Sequence, residues 1–483
     1  MNEVNKMSQK RIPLYEALVR FKENNPISFH VPGHKNGLLY QQSIPEFSRF
    51  MKYDMTELSG LDDMHSPDGP ILEAQQLLTN YYETRKSYFL VNGSTVGNLI
   101  MILSTFKEGD KVLVQRNCHK SILNALMLAK VNPIFISPEI DGLALVPNGI
   151  ISLHIEQAYH LYSKIKGCIL TYPNYYGMTT NIEEIIQMVH RYHGIVLVDE
   201  AHGPHFRLGH PFPKSAVDLG ADMIVQSAHK MLPAMTMGSY LHINSDRVSL
   251  EKVEQFYSIL QSSSPSYPIM ASLDFARYYL ATYGQEDIEY TMKQRNQFVD
   301  NLNSLEGMTV IQGLVNQDPL KLMVRYNGYS GFQFQELLEE EGVYTEMADP
   351  HQVVMVLPLL KKGAEFIYIE AFEKMKEVIK KPKLNKNNAD NKMVDIKNKI
   401  SHLAIPFSEM EDRSYEWVPF KHAVNRIAAK MIIPYPPGIP LTLPGECITD
   451  ETIEVLDKLL TLNARFQGEI ERLTNREILV YVD

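Results

Sequence analysis

The chain has 483 residues, of which 45% are apolar and 22% are charged, and its formal net charge is −10. This length predicts two or three domains, and this composition is that of an ordinary globular protein with an ample core. The negative net charge gives no indication of a basic surface, so we expect neither nucleic acid nor an anionic membrane surface as a partner.

The cysteines and the N-terminal residues predict a cytoplasmic protein. The three cysteines are far apart in sequence and form no CxxC pair, which argues against a disulfide framework or a structural zinc site and indicates a reducing compartment. The stretch MNEVNKMSQKRIPLYEALVR has no apolar core of a signal peptide, and no apolar run approaches the roughly 20 residues that span a bilayer.

Between residues 87 and 245, short apolar runs alternate with helical patterns. The predicted strands are SYFLV, KVLVQ, PIFIS, GCILTYP, IVLVDE, DMIVQS and SYLHI. Continuous β-branched runs separated by helices indicate βα units around a sheet that is buried on both faces. The predicted fold class is therefore α/β, with a mostly parallel sheet and helices on both faces.

The remaining chain predicts further parts. A long helix is predicted over 270–305, and the N-terminal segment with the large domain spans 1–310. Residues 311–379 read as a small α+β domain, and residues 400–483 as a C-terminal domain. Between these two, residues 380–399 are rich in Lys and Asn and predict a solvated linker.

Four predicted strands end on residues that suit a ligand site, because ligands of open α/β sheets bind beyond the carboxyl ends of the strands. After SYFLV comes a small-residue turn with Ser94 and Thr95 that enters a helix. Such a turn presents free N–H groups and hydroxyls to an anion. The alternative is a plain tight turn with an N-cap.

The other three strand ends supply a histidine, a carboxylate and a lysine. His119 begins a helix after KVLVQ, where a capping or surface role is the alternative. Asp199 leaves the strand IVLVD, and Lys230 follows DMIVQ in the stretch Ser-Ala-His-Lys. A lysine between two apolar strands is costly to desolvate, so we expect it to be paired or covalently modified.

Pyridoxal 5′-phosphate needs this set of residues. The cofactor requires a Schiff-base lysine, a carboxylate facing its pyridine nitrogen, a phosphate cradle and a group packed on its ring. Lys230, Asp199 and His119 match the lysine, the carboxylate and the ring partner. The predicted cradle consists of Ser94, Thr95, Ser227 and His229.

Several motifs resemble those of the ornithine/lysine/arginine decarboxylases and occur in the same order from about residue 11 to about residue 475. They are HVPGHKNG, MTELSGLDDMHSPDGPI, NGSTVGN, CHKS, VDEAHGPH, GADMIVQSAHK and YPPGIPLTLPGE. The resemblance implies the aspartate-aminotransferase fold (fold type I), decarboxylation of lysine, arginine or ornithine, and a homodimer with the active site at the subunit interface. The chain looks most similar to the shorter bacterial members without an N-terminal wing domain.

The same resemblance implies residue roles. Lys230 would form the Schiff base, Asp199 would face the pyridine nitrogen, and His119 would stack on the ring. Ala201 would contact the cofactor. His202, where some members carry tryptophan, would lie near the phenolic oxygen or the substrate carboxylate.

Acidic residues are the candidates for binding the distal cation of a basic substrate. The alternative is that they cap helices or lie on the solvated surface. The candidates are Asp54, Glu57, Asp62 and Glu446.

Other functions stay open at this point. VLVDEAHG imitates a DEAH-type ATPase, but the chain contains no GxxxxGK[ST] loop. A metal hydrolase would leave Lys230 unexplained. An aminotransferase or lyase on the same fold and a non-catalytic relative are the nearer alternatives. The candidate ligands of such a metal are Asp199, His202, His205 and His229.

Overall fold

A computed structural model describes residues 9–311, 316–381, 399–434, 440–462, 464–468 and 470–482. Most of the predicted linker (380–399) and part of the proline-rich stretch after residue 433 lie outside these residues. The domain boundaries stay predictions.

The α-helices are α1 Pro13–Glu23, α2 Pro45–Phe50, α3 Pro70–Tyr82, α4 Gly93–Thr105, α5 Lys120–Leu128, α6 Ser152–Leu161, α7 Ile182–Arg191, α8 Ala228–Met231, α9 Leu250–Leu260, α10 Tyr267–Ala281, α11 Gln285–Asn303, α12 Gly331–Glu340, α13 Tyr368–Lys380, α14 Phe420–Ala423, α15 Asp450–Thr461 and α16 Ile470–Thr474. The strands are β1 Lys86–Leu90, β2 Lys111–Gln115, β3 Asn132–Ile136, β4 Ile140–Asp141, β5 Val146–Pro147, β6 Ile165–Thr171, β7 Ile195–Asp199, β8 Met223–Gln226, β9 Ser239–Ile243, β10 Met308–Val310, β11 Lys321–Tyr326, β12 Met347–Ala348, β13 Val353–Val356, β14 Ile400–His402, β15 Tyr415–Pro419, β16 Ile433–Pro434, β17 Phe466–Gln467 and β18 Glu477–Tyr481.

The contacts within the chain divide it into two compact units. Of the described residues, the first unit comprises 9–105, 197–210 and 214–284. Its strands lie in the order β1-β9-β8-β7, with β7 parallel to β8 and β9 antiparallel to both of its neighbours. All residues of β8 and β9 are buried, which explains why both strands read as continuous apolar runs.

Helix α4 packs tightly against the strands of the first unit, and a glycine permits the close approach. A Cβ added to Gly97 would lie 2.6 Å from Leu90 Cδ1 and 2.8 Å from Val225 Cγ2, which belong to β1 and β8. This packing fixes the first turn of α4 at the carboxyl end of β1.

The second unit comprises residues 106–196 and 211–213 and the described residues from 285 to 482. Strands β6, β2 and β3 are parallel, and β14 adds antiparallel to β3. A second, antiparallel sheet has the order β10-β11-β13-β12. The C-terminal part pairs β15 with β18 over its own apolar core, which includes Ala423, Ala428, Ile448, Leu456 and Val480. The predicted α/β class with a large, mostly parallel sheet, a small α+β part and a C-terminal part is confirmed.

The prediction of one continuous helix over 270–305 is wrong, because the structure has two helices there. The helix ends at Ala281, and a new one begins at Gln285. Thr282 donates its hydroxyl to the carbonyl of Tyr278 at 2.7 Å, and Gly284 favours a break because glycine is a poor helix former.

Candidate active site

Lys230 lies in the short helix α8, which begins directly after β8. Its Nζ is 3.0 Å from Nε2 of His202, and its backbone N–H donates to the carbonyl of Ser227 at 3.1 Å. The side chain is half-buried. The two strands predicted on either side of this lysine are β8 and β9, so the chain does carry an amine at the end of a buried strand.

Asp199 is the last residue of β7 and is buried. Its Oδ2 accepts a hydrogen bond from Nδ2 of Asn98 at 2.9 Å, and its Oδ1 accepts one from the backbone N–H of Ala201 at 3.2 Å. A buried carboxylate held in this way can stabilise a positive charge placed against it. Asn98 was missed by the sequence interpretation, although it follows Ser94 by one helical turn and so lies on the same face of α4.

Ser94 and Ser227, two residues of the predicted phosphate cradle, lie in contact. Ser227 donates its hydroxyl to Oγ of Ser94 at 2.7 Å. Ser94 and Thr95 lie in the first turn of α4, where backbone N–H groups lack partners within the helix, and Thr95 is exposed. His229 is held by the carbonyl of Gly238, which is 3.0 Å from its Nδ1 and 3.2 Å from its backbone nitrogen.

His119 lies in the second unit and caps α5. Its Nδ1 accepts from the backbone N–H of Ser121 at 3.2 Å and is 2.8 Å from the hydroxyl of that serine. The capping role that the sequence left open is therefore present. Stacking on a cofactor ring stays a prediction.

Asp62 serves as a structural anchor for the start of α3. Its two carboxylate oxygens accept from the backbone N–H groups of Asp63, Asp68, Gly69, Ile71 and Leu72 at 2.8–3.3 Å. Satisfying these groups explains the acidic residue at this position, and it weighs against Asp62 as a ligand of a substrate cation.

The other acidic candidates differ in how their oxygens are used. Asp54 is 3.2 Å from Nε2 of His34. Glu57 accepts from the hydroxyl of Thr56, while its Oε1 is buried and has no hydrogen-bond partner within the described part of the chain.

Glu446, in the second unit, is already paired with a cation. Its Oε2 accepts from Arg116 at 2.8 Å and from the backbone N–H of Leu443 at 2.9 Å. Arg116 also donates to the carbonyls of Pro440 and Leu441. This pair fastens the loop around residues 440–446 to the segment that follows β2.

Glu200, next to Asp199, is a residue whose role the sequence did not reveal. It is fully buried, and burial raises the pKa of its carboxyl to about 8 despite hydrogen bonds from Ala216, Gln226 and Ser215. The motif VDEAHG contains two adjacent acidic residues, and the sequence alone does not show which of them faces a ligand.

Among the residues that the structure describes, no group of three or more His, Cys, Asp or Glu side chains is arranged to hold a metal ion. Nor is any described helix long and apolar enough to cross a bilayer.

The residues of the first unit fit pyridoxal 5′-phosphate. The unit provides the groups that the cofactor requires. These are the amine of Lys230, the buried carboxylate of Asp199, and the paired hydroxyls of Ser94 and Ser227 at a helix N-terminus. Lys230 would hold the aldehyde carbon, Asp199 the pyridine nitrogen, and the hydroxyls the phosphate.

Comparison with known proteins identifies the family. Residues 12–321 match "Orn/Lys/Arg decarboxylase, major domain", and residues 370–468 match "Orn/Lys/Arg decarboxylase, C-terminal domain". The chain is 43% identical to the uncharacterized protein YaaO of Bacillus subtilis (strain 168), over 98% of each chain. It is 34% identical to an arginine decarboxylase of Bacillus anthracis, over 96% of each chain.

The structure shows the same fold as a solved decarboxylase. It matches the lysine decarboxylase LdcF of Francisella novicida with a TM-score of 0.78 and 20% identity, covering 98% of this chain and 81% of that one. The expected fold type I is thereby confirmed, and the members of the matched family are decarboxylases that use pyridoxal phosphate. The chain belongs to the Orn/Lys/Arg decarboxylase family.

Proposed function

We propose that this protein is a pyridoxal-phosphate-dependent decarboxylase that converts a basic L-amino acid to carbon dioxide and the corresponding amine. The observation that carries the proposal is the pairing of Lys230 Nζ with His202 Nε2 at 3.0 Å after β8, with the buried Asp199 at the end of the neighbouring strand β7, in a chain of this family. Arginine is the first substrate to test, because the relative at 34% identity is an arginine decarboxylase. Lysine and ornithine follow.

When bound, pyridoxal phosphate supplies an electron sink for the pair released as the bond between Cα and the carboxylate breaks. Asp199 favours a protonated nitrogen next to it, because an adjacent negative charge stabilises the cation. Asn98 and the N–H of Ala201 hold both oxygens of Asp199, so this charge is fixed in place before substrate arrives.

Lys230 and His202 can handle protons. At 3.0 Å, a proton can pass between Nζ and Nε2, and either group can deliver one to Cα in place of the carboxylate that leaves as carbon dioxide. His119 is the other candidate acid in our proposal. His202 takes the position where some relatives carry tryptophan, and a proton relay to Lys230 gives the imidazole a role that an indole cannot perform.

Glu57 is the acidic residue we propose for the distal cation of the substrate. Its Oε1 is a buried carboxylate oxygen for which no described residue supplies a donor, so an ammonium or guanidinium group would satisfy it. Asp54 is a second candidate. We assign no such role to Asp62 or Glu446, whose oxygens are used by backbone N–H groups and by Arg116.

We further propose a cytoplasmic homodimer with the active site at the subunit interface. The segment from residue 27 to residue 50 supports the association of two chains, because it exposes more apolar side chains than a surface in water normally carries. These are Ile27, Phe29, Val31, Leu38, Leu39, Ile44, Phe47 and Phe50.

The test is carbon dioxide release from purified protein with pyridoxal phosphate, with the amine product identified, using L-arginine, L-lysine and L-ornithine in parallel. We expect release from one substrate, and loss of both release and the yellow colour in Lys230→Ala. Lys252→Ala, an exposed lysine in α9, is the matched control and keeps both. A yellow protein that releases carbon dioxide from none of the three, or that forms a keto acid instead, contradicts the proposal.

A further inference from the structure

Glu200 receives an unusual set of hydrogen bonds for a residue that no step of the reaction uses. Its Oε1 accepts from the backbone N–H of Ala216 at 2.6 Å, and its Oε2 accepts from the hydroxyl of Ser215 at 2.9 Å and from Nε2 of Gln226 at 2.6 Å. A fully buried carboxyl group is costly unless its oxygens are hydrogen-bonded in this way. The arrangement is therefore built around this side chain.

The bond from Gln226 joins the carboxyl ends of β7 and β8. Glu200 lies directly between Asp199 and the Ala201–His202 pair, and Gln226 directly precedes Ser227. Two backbone bonds support the same junction, from Glu200 N to Val225 O at 2.8 Å and from Ser227 N to Ala201 O at 3.3 Å. One side-chain bond thus ties the turn that carries Asp199 and His202 to the turn that carries Lys230.

A second layer fixes the amide of Gln226. Its Oε1 accepts from Nε2 of His242 at 3.1 Å, and Nδ1 of His242 accepts from the hydroxyl of Ser87 at 2.8 Å. Burial lowers the pKa of His242 to about 3, so the ring is neutral at pH 7 and carries a single N–H for Gln226. With that N–H donating to Oε1, the NH₂ group of Gln226 points towards Glu200.

We propose that Glu200 is a positioning residue that acts through Gln226, and that it sets the affinity for the cofactor by holding the Asp199 turn and the Lys230 turn in register. This inference rests on the proposed function, because it concerns the same cofactor site. It assigns no contact between Glu200 and the cofactor or the substrate.

The experiment compares Glu200→Met, which removes the acceptor of the Gln226 bond, and Gln226→Met, which removes its donor, with a control, Asp222→Asn. Asp222 is also a fully buried carboxylate, but it immediately precedes β8 at the opposite end of the strand and accepts from the hydroxyl of Ser245. The measurements are the dissociation constant of pyridoxal phosphate by absorbance titration and the thermal midpoint of unfolding. Both methionine variants keep the length of the side chain, and Gln226→Met serves if Glu200→Met does not fold.

We expect each of the first two variants to bind pyridoxal phosphate roughly tenfold or more weakly, as is typical when a partner behind a ligand site is removed. The double variant should lose no more than the larger single loss, because both changes break one bond. Asp222→Asn should lower the thermal midpoint and keep parental affinity. Parental affinity in Glu200→Met or in Gln226→Met, or an equal loss in Asp222→Asn, overturns the inference. A parent protein that binds no pyridoxal phosphate overturns the proposed function and this inference together.

Discussion

Glu200 and His242 are both fully buried in the first unit, and burial shifts their pKa values in opposite directions. The pKa of Glu200 rises from 4.5 to about 8, and that of His242 falls from 6.5 to about 3. As pH rises from 4.5 to 6.5, the contribution of Glu200 to the free energy of unfolding falls, whereas that of His242 rises. Only Glu200 of this pair titrates between pH 6.5 and 8.

The pH dependence of stability follows from these directions. Above pH 4.5 the unfolded chain releases the proton of Glu200 while the folded protein keeps it up to about pH 8, so stability falls as pH rises through this window. The slope for one proton is roughly 1.4 kcal/mol per pH unit. Glu200→Gln removes this contribution, and we expect its thermal midpoint to fall less between pH 6.5 and 8 than that of the parent.

The measurement is the thermal midpoint of cofactor-free protein at intervals from pH 6.5 to pH 8. Every other titrating group is common to the parent and the variant, so the difference between the two curves isolates Glu200. Parallel curves would mean that Glu200 is already ionised in the folded protein at pH 6.5.

At the residue scale, sequence limits the position of a side chain most closely where a strand ends. Lys230, Asp199, Ser94 and Ser227 each lie at the carboxyl end of a buried strand, and the structure brings them together within one unit. The role of Glu200 depends on which way a side chain turns after the strand ends, and sequence does not encode this locally.

The acidic stretch from residue 54 to residue 69 also contains side chains whose roles cannot be predicted from sequence. Asp62 accepts from five backbone N–H groups, while Glu57 leaves one buried oxygen without a partner among the described residues. A cap and a ligand use the same residue type, so only the folded backbone separates the two roles.

At the scale of elements, α4 depends on Gly97 for its distance from the sheet. Alanine has the higher helix propensity by roughly 1 kcal/mol. Its Cβ would nevertheless meet Leu90 and Val225 at 2.6 and 2.8 Å, and both side chains are buried, so neither can move freely. We expect Gly97→Ala to lower the thermal midpoint, at a cost of roughly 1–3 kcal/mol for overpacking.

The same change should weaken cofactor binding, because Ser94 and Asn98 on α4 would shift with the helix. Gly142→Ala is the control, since nothing lies within 4 Å of an added Cβ there. A parental midpoint in Gly97→Ala would show that the helix can move away from β1 and β8 without loss.

The elements themselves were predictable because buried parallel strands and amphipathic helices have different apolar periods. The break between α10 and α11 was not predicted, since the helical pattern continues through it and only Thr282 and Gly284 mark the end. A back-bonding threonine and one glycine are weak signals against a long apolar pattern.

At the scale of the whole molecule, the segment from residue 27 to residue 50 predicts association of two chains. Phe29 is 94% exposed and Leu39 is 70% exposed, and leaving such side chains in water forgoes roughly 1.5–3 kcal/mol each. We expect Phe29→Asp combined with Leu39→Asp to convert a dimer into a monomer, because a charge at each position would have to be desolvated in the interface. Sedimentation velocity measures the change.

Ile369→Asp is the matched control, since this isoleucine is 76% exposed but belongs to the second unit, far along the chain from the segment. It should sediment as the parent does. Decarboxylase activity should be lost with the dimer in the double variant, because we place the active site at the subunit interface. A monomeric double variant with full activity would support the dimer contact at this segment but refute an active site shared between the subunits. A double variant that sediments as the parent does would refute the contact itself.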